Sequence, residues 1–251
     1  MSETPRRVEV AGVPAYELGS HGRPFVLVAG PPVGAAIFRH IQQRLAPHRS
    51  VAVELLASGA GSLHQLTECL DAVIRETDAR AVFAHGLAVP IALQVGAEHV
   101  VVSNGPVTRV DPVVRGLARM GAGLIARSVL RPGFATRWLS SSGGLRRTVV
   151  NPYVMDRDIV VMLTQAVLES AASRRTAAAW MAQLPGTVPL VSPKAKAISA
   201  IWGDYDPLYP LSEAQALVGD GALSVIPGWR HFHPEERPWE SADRLVELTT
   251  T

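Results

Sequence analysis

Three short segments of this chain carry side chains suited to proton transfer or nucleophilic attack, and each sits where a regular element should end. Ile201-Trp202-Gly203-Asp204-Tyr205-Asp206-Pro207-Leu208 places two carboxylates on a turn after an apolar run. Gly228-Trp229-Arg230-His231-Phe232-His233-Pro234 places two imidazoles ahead of the last helical stretch. Val82-Phe83-Ala84-His85-Gly86-Leu87-Ala88 passes sharply from strand to helix, the geometry on which a nucleophile can be displayed. A carboxylate paired with an imidazole fixes its tautomer and leaves the second nitrogen free to move a proton. Ser103, at the end of another apolar run with Asn104 beside it, could offer a hydroxyl. Glu54 ends a strand and reads as structural or solvated. His233, two positions after His231, reads either as a second proton carrier or as solvent-facing.

The elements that must position these groups alternate. Apolar runs at 7–10, 15–18, 24–29, 50–55, 80–84, 99–103, 197–202 and 223–226 read as strands. Helical patterns fall at 36–45, 63–77, 88–95, 211–218 and 239–248. Strands that alternate with helices imply crossover units and a parallel sheet covered on both faces. From about Arg109 to Val191 the alternation stops, and helical segments rich in Ala, Arg and Ser take over. Helix inserted there should cap the carboxyl edge of the sheet, where ligands bind. The expected division is therefore a core of residues 1–108 and 192–251 with a lid of 109–191. Ser140, Ser141 and Ser142 read as a loop in that lid.

Composition bounds the rest. The chain has 251 residues, 47% of them hydrophobic and only 6% aromatic, so Val, Ile, Leu and Ala must fill a large core. Net charge is +2 and the arginines are scattered apart from pairs such as Arg146-Arg147, which gives no footprint for nucleic acid. The single cysteine, Cys69, precludes an intrachain disulfide and reads as buried and inert. No signal-like leader and no long apolar span point to a membrane, so a cytoplasmic protein is the expectation. The histidines are dispersed and no phosphate-binding glycine loop follows a strand, so neither metal nor nucleotide nor flavin is expected.

The three segments taken together resemble the α/β-hydrolase superfamily, and the likeness covers nearly the whole chain. Members commonly carry an acid on a Trp-Gly-x-x-Asp turn and a histidine on a Gly-x-x-His-Phe turn, in the order elbow, acid, histidine. The resemblance implies an α/β-hydrolase fold with Asp206 as the acid and His231 as the base. It also exposes two departures. The family's Gly-x-Ser-x-Gly is Ala84-His85-Gly86-Leu87-Ala88 here, with glycine where the nucleophile belongs. Glycine cannot attack a carbonyl, although it tolerates the positive φ of the turn. The usual oxyanion donor after the third strand falls on Pro31 of Ala29-Gly30-Pro31-Pro32, and proline has no N–H. Leu87 N–H would remain as the other donor.

These readings converge on a cofactor-free enzyme doing non-hydrolytic acid–base chemistry on an apolar small molecule. Gly30, Pro31, Leu87, His85 and Ser103 are expected in its pocket and oxyanion region, with His85 itself reading as packed beneath the turn; Trp180, Tyr205 and Trp229 read equally as pocket lining or as ordinary packing. Such members occur among natural-product tailoring proteins. Two other readings stay open: a ligand-binding protein without activity, and a hydrolase that uses Ser103 or a water activated by His231. A homodimer is compatible with the chain.

Overall fold

Apolar runs too continuous to face water on either side dictate the centre of this molecule. The computed structural model describes residues 4–188 and 193–250. In it Phe25 to Ala29 and Ala81 to His85 are buried throughout, as strands covered on both faces must be. Eight strands form one sheet: β1 (Arg6–Val10), β2 (Val13–Leu18), β3 (His21–Ala29), β4 (His48–Val53), β5 (Ala81–His85), β6 (His99–Ser103), β7 (Ala197–Gly203) and β8 (Leu223–Ile226). Their spatial order is β1-β2-β4-β3-β5-β6-β7-β8. Ala11 and Gly12, both at positive φ, close the β1–β2 hairpin as a two-residue turn of that kind should. β2 also runs antiparallel to β4, and all later pairs are parallel.

Helices complete the crossovers: α1 (Arg39–Leu45), α2 (Leu63–Thr77) and the short α3 (Val89–Ala92) in the first half. Ser62 caps α2 by accepting from Gln65 N–H, and Leu63, Leu66, Leu70, Val73 and Ile74 turn one buried stripe to the sheet. Between β6 and β7 lie α4 (Pro112–Met120), α5 (Ala122–Leu124), α6 (Pro132–Leu139), α7 (Arg157–Glu169) and α8 (Ala171–Gln183), with a π-helical turn at Ile125–Val129. The chain ends with α9 (Leu211–Val218), α10 (His233–Glu236) and α11 (Pro238–Thr250), the last packed against α1.

Several boundaries differ from expectation. The helix expected over 88–95 is a 3-10 turn, Gly86–Ala88, followed by one α-turn, because the chain must descend to Gly96 and start β6 at His99. β3 begins three residues early, at His21, with a register irregularity before Phe25. β4 stops at Val53, so Glu54 stands just beyond its strand. Cys69, expected to be buried, is only partly so, since it flanks the buried stripe of α2. The lid boundary expected at residue 191 lies outside the described residues.

Candidate active site

Strand ends bring the three chemical segments to one place. β7 ends at Gly203, where a β-carbon would stand 2.6 Å from the carbonyl oxygens of both Trp229 and Arg230. Only glycine allows the histidine turn to pass that closely. The two turns are then stitched: Tyr205 N–H donates to Trp229 O at 2.9 Å, and Gly228 N–H to Asp204 Oδ1 at 2.6 Å. Within this frame His231 Nδ1 lies 2.9 Å from Asp206 Oδ2. The Asp206 carboxylate is fully enclosed, and its remaining lone pairs are used by Leu208 N–H at 2.8 Å and Asn104 Nδ2 at 2.7 Å. A carboxylate so placed holds the proton of neutral His231 on Nδ1, so Nε2 presents a lone pair.

That lone pair faces the elbow. Gly86 has φ +61°, and a β-carbon built on it would lie 3.5 Å from His231 Nε2, with only the adjacent Cε1 as a second neighbour within 4 Å. The turn at Gly86 thus faces His231 with backbone alone. Gly105 and Gly30 shape the same turn: a β-carbon on Gly105 would meet Gly86 O at 2.3 Å, and one on Gly30 would meet Leu87 at 2.6 Å. Next to this turn, the loop after β3 offers few donors. Pro31 and Pro32 have no N–H, Gly34 N–H is taken by Leu163 O, and Ala35 N–H by Glu54 Oε2.

Beneath the elbow runs a buried polar chain that no single segment discloses. Parallel pairing of β5 with β6 sets His85 beside Ser103. His85 Nδ1 and Ser103 Oγ are 3.1 Å apart, Ser103 Oγ and His233 Nε2 2.7 Å, and His233 Nδ1 and Ser241 Oγ 2.7 Å. Ser241 Oγ–H donates to Arg237 O at 2.8 Å, which fixes every proton before it. Ser241 accepts from His233 Nδ1–H, His233 Nε2 accepts from Ser103, and Ser103 accepts from His85 Nδ1–H. His85 Nε2 is left as a buried acceptor without a partner, with its ring 4.8 Å from that of His231. Burial, followed by the nearby His231, pushes His233 down to about 3; burial with His231 and His233 pushes His85 well below the usual imidazole range. Both are neutral at pH 7.

Several expectations change accordingly. His233 does not face solvent: it is wholly buried, because α10 turns its ring inward onto Ser103 and Ser241. Ser103 is fully buried and bonded to His85 and His233, not to His231, so its hydroxyl is not presented for attack. Sequence reasoning placed Asn104 only as a neighbour of Ser103, yet it holds Asp206 and accepts from Gly203 N–H at 3.0 Å. The readable signal was an asparagine directly after a strand, a residue tolerant of the φ +41° found there.

The pocket is apolar and small. A cavity of about 110 Å³ is lined by Pro31, Leu87, Leu117, Leu139 and Leu208, among others, between the sheet edge and the inserted helices. Its walls include the residue after Gly86 and the one that donates to Asp206, so it adjoins the dyad. His85 and Ser103 do not line it; they lie below the turn. Trp180, a candidate for the pocket lining, is fully buried and donates from Nε1 to Leu87 O at 3.1 Å, fastening α8 to the elbow. Tyr205 is largely exposed, and Trp229 lies under the Arg237 guanidinium, 4.2 Å from its ring centre. A larger cleft of about 590 Å³ lies elsewhere, against Arg7, Arg39, Gln42 and Glu54, and contains no member of the dyad. Among the described residues no group of three His, Cys, Asp or Glu side chains is gathered as a metal site.

No protein-family model matches this sequence, and no curated protein matches it either. Solved structures do. An α/β hydrolase fold protein from Burkholderia ambifaria is similar with a TM-score of 0.74 at 22% identity, over 98% of both chains. A thermophilic esterase from Thermogutta terrifontis is similar with a TM-score of 0.72 at 17% identity, again over 98% of both. The Cif epoxide hydrolase from Acinetobacter nosocomialis gives 0.70 at 14% identity, over 98% of this chain and 88% of that one. The chain has the α/β-hydrolase fold.

Proposed function

We propose that this protein is an acid–base enzyme that works without covalent attack, using His231 Nε2 to move a proton and Asp206 to orient and stabilise the imidazole. The observation that carries the reading is the empty elbow: an imidazole lone pair aimed at a turn whose residue, Gly86, has no side chain. Acyl transfer needs a nucleophile and paired oxyanion donors, and both are compromised here, by Gly86 and by Pro31. Proton transfer needs only a positioned base in a shaped apolar pocket, and such a base contributes about 10² to 10⁴-fold. The substrate class is a small, fairly apolar organic molecule undergoing cyclisation, addition, elimination or rearrangement, with no cofactor required. Tailoring steps of natural-product biosynthesis are the natural setting for such chemistry.

A generic probe tests this without knowledge of the substrate. In the ring opening of 5-nitrobenzisoxazole a base removes the C3 proton, the N–O bond breaks, and its electrons go to the phenolate oxygen. The intact protein should accelerate this reaction, and His231→Ala should lose at least about tenfold of the gain. Equal rates in the two proteins would defeat the assignment, and labelling of the unaltered protein by a fluorophosphonate would reveal a nucleophile and favour a hydrolase.

A further inference from the structure

The inserted helices carry a surface that the proton-transfer reading does not use. Residues 112–155 contain seven arginines and neither aspartate nor glutamate, in a chain whose remaining 17 basic residues are outnumbered by 22 acidic ones. α4, α5 and α6 pack their inner sides on α8, α7 and the π-helical turn, and their outer sides face solvent. Five large apolar side chains of these helices are exposed, Val113 and Trp138 of them at the rim of the apolar cavity. Phe134 is 56% exposed and Leu124 51%, with Met120, Val113 and Trp138 close behind. Arg127, Arg131 and Arg137 stand among Leu124, Phe134 and Trp138, while on α4 Arg115 and Arg119 take the side of the helix opposite Val113 and Met120; all five arginines are exposed, none of them in an ion pair with a described carboxylate. Elsewhere on the molecule arginines do find acids, as in Arg44 with Asp243 and Arg23 with Glu98.

Exposed aromatic and aliphatic side chains among unpaired arginines meet two requirements of interfacial binding at once. The apolar groups enter the boundary of the acyl region while the guanidinium groups meet anionic headgroups. Neither signal alone gives stable attachment. An acidic protein would satisfy the arginines, but it would leave Phe134 and Leu124 without a reason to be exposed. Trp138 of this surface also lines the apolar cavity beside the dyad, as does Val113 of α4. A molecule dissolved in a bilayer would thus meet the cavity from the face that touches the membrane. Among the described residues no helix is long and apolar enough to cross a membrane.

We infer that the exposed surface formed by α5, the π-helical turn and α6 docks on an anionic lipid surface, which revises the expectation that the protein has no membrane partner. Binding is measured without turnover, so the inference stands or falls apart from the reaction proposed above. The full-length protein is sedimented with vesicles of phosphatidylcholine alone or with about 30% phosphatidylglycerol. Partitioning should be at least about tenfold stronger on the anionic vesicles and should fall as salt rises. The variants R127Q/R131Q/R137Q and L124S/F134S should each lower it by about tenfold or more, whereas R75Q/R244Q, which removes cations elsewhere, should not. Equal partitioning on both vesicles, or an equal loss in the R75Q/R244Q control, would overturn the inference. So would salt-sensitive binding to soluble polyglutamate with none to vesicles, which would assign the surface to an acidic protein.

Discussion

At the scale of single residues the proposed site is a histidine–carboxylate pair facing a glycine turn. His231, Asp206 and Asn104 form a buried chain in which each proton has one location, and Nε2 of His231 ends it 3.5 Å from where a Gly86 β-carbon would be. This makes Gly86→Ser informative. The turn already has the required φ, and no backbone atom obstructs the new side chain. A serine there should come within reach of the imidazole and become labelled by a fluorophosphonate that leaves the parent protein untouched. Its ester turnover should remain about 10² to 10³ below that of an intact hydrolase, because Pro31 supplies no oxyanion donor. An unlabelled G86S protein that folds normally would show that Nε2 is not aimed at the turn. Much of this was legible in advance: the acid and histidine turns were readable because tryptophan, glycine and phenylalanine frame them. Asn104 was not, since its role arises only when β6 and β7 lie side by side and bring a carboxylate from a hundred residues away.

At the scale of elements, loops cross the sheet edge where a glycine or a buried acceptor lets them. Glu54 is such an acceptor: beyond β4 it receives Ala35 N–H at 2.9 Å and so fixes the loop that carries Pro31. Burial pushes its carboxyl up to about 7, only partly offset by the N–H groups of Ala35 and Leu56. The sign follows directly. With a folded pKa above the unfolded value, the protonated group stabilises the protein fully below about pH 4.5, and this contribution is lost as pH rises through 7. Glu54→Gln keeps an acceptor but cannot ionise. It should flatten the fall in stability between pH 5 and 8, gaining up to about 3 kcal/mol at the alkaline end in denaturant titrations. Parallel pH profiles for both proteins would show that the carboxyl is not protonated in the fold. The sequence marked Glu54 as structural or solvated; the choice between these depended on the loop it meets.

The whole molecule rests on a sheet whose central strands are dry on both sides, yet it holds two neutral histidines in that dry interior. His85 and His233 both ionise far below their ordinary value because burial disfavours the imidazolium. His233 stabilises the fold above about pH 6.5, and its contribution is lost as pH falls toward its folded value of about 3, since the unfolded chain binds the proton first; His85 acts in the same direction. Acid unfolding should therefore set in between about pH 6 and 4, earlier than carboxylate titration alone would bring it. Replacing His233 with glutamine should weaken the fold at pH 7 and shallow the acid limb, as followed by circular dichroism. An unchanged limb would mean that His233 is protonated in the native state.

By itself the sequence determined the alternation, the parallel sheet and the vacancy at Gly86, because each is a local matter of periodicity, apolar run length or residue type. Tertiary structure decided what the polar groups are bonded to. Pairing β5 with β6 joined Ser103, a candidate hydroxyl, to His85 packed beneath the turn in one buried network, and the inward turn of α10 added His233. Packing of α4 to α6 on α7 and α8 likewise left the arginines of one inserted segment exposed together with apolar side chains. Hydrogen bonds and shared surfaces join residues far apart in sequence, and only the folded backbone brings them within reach.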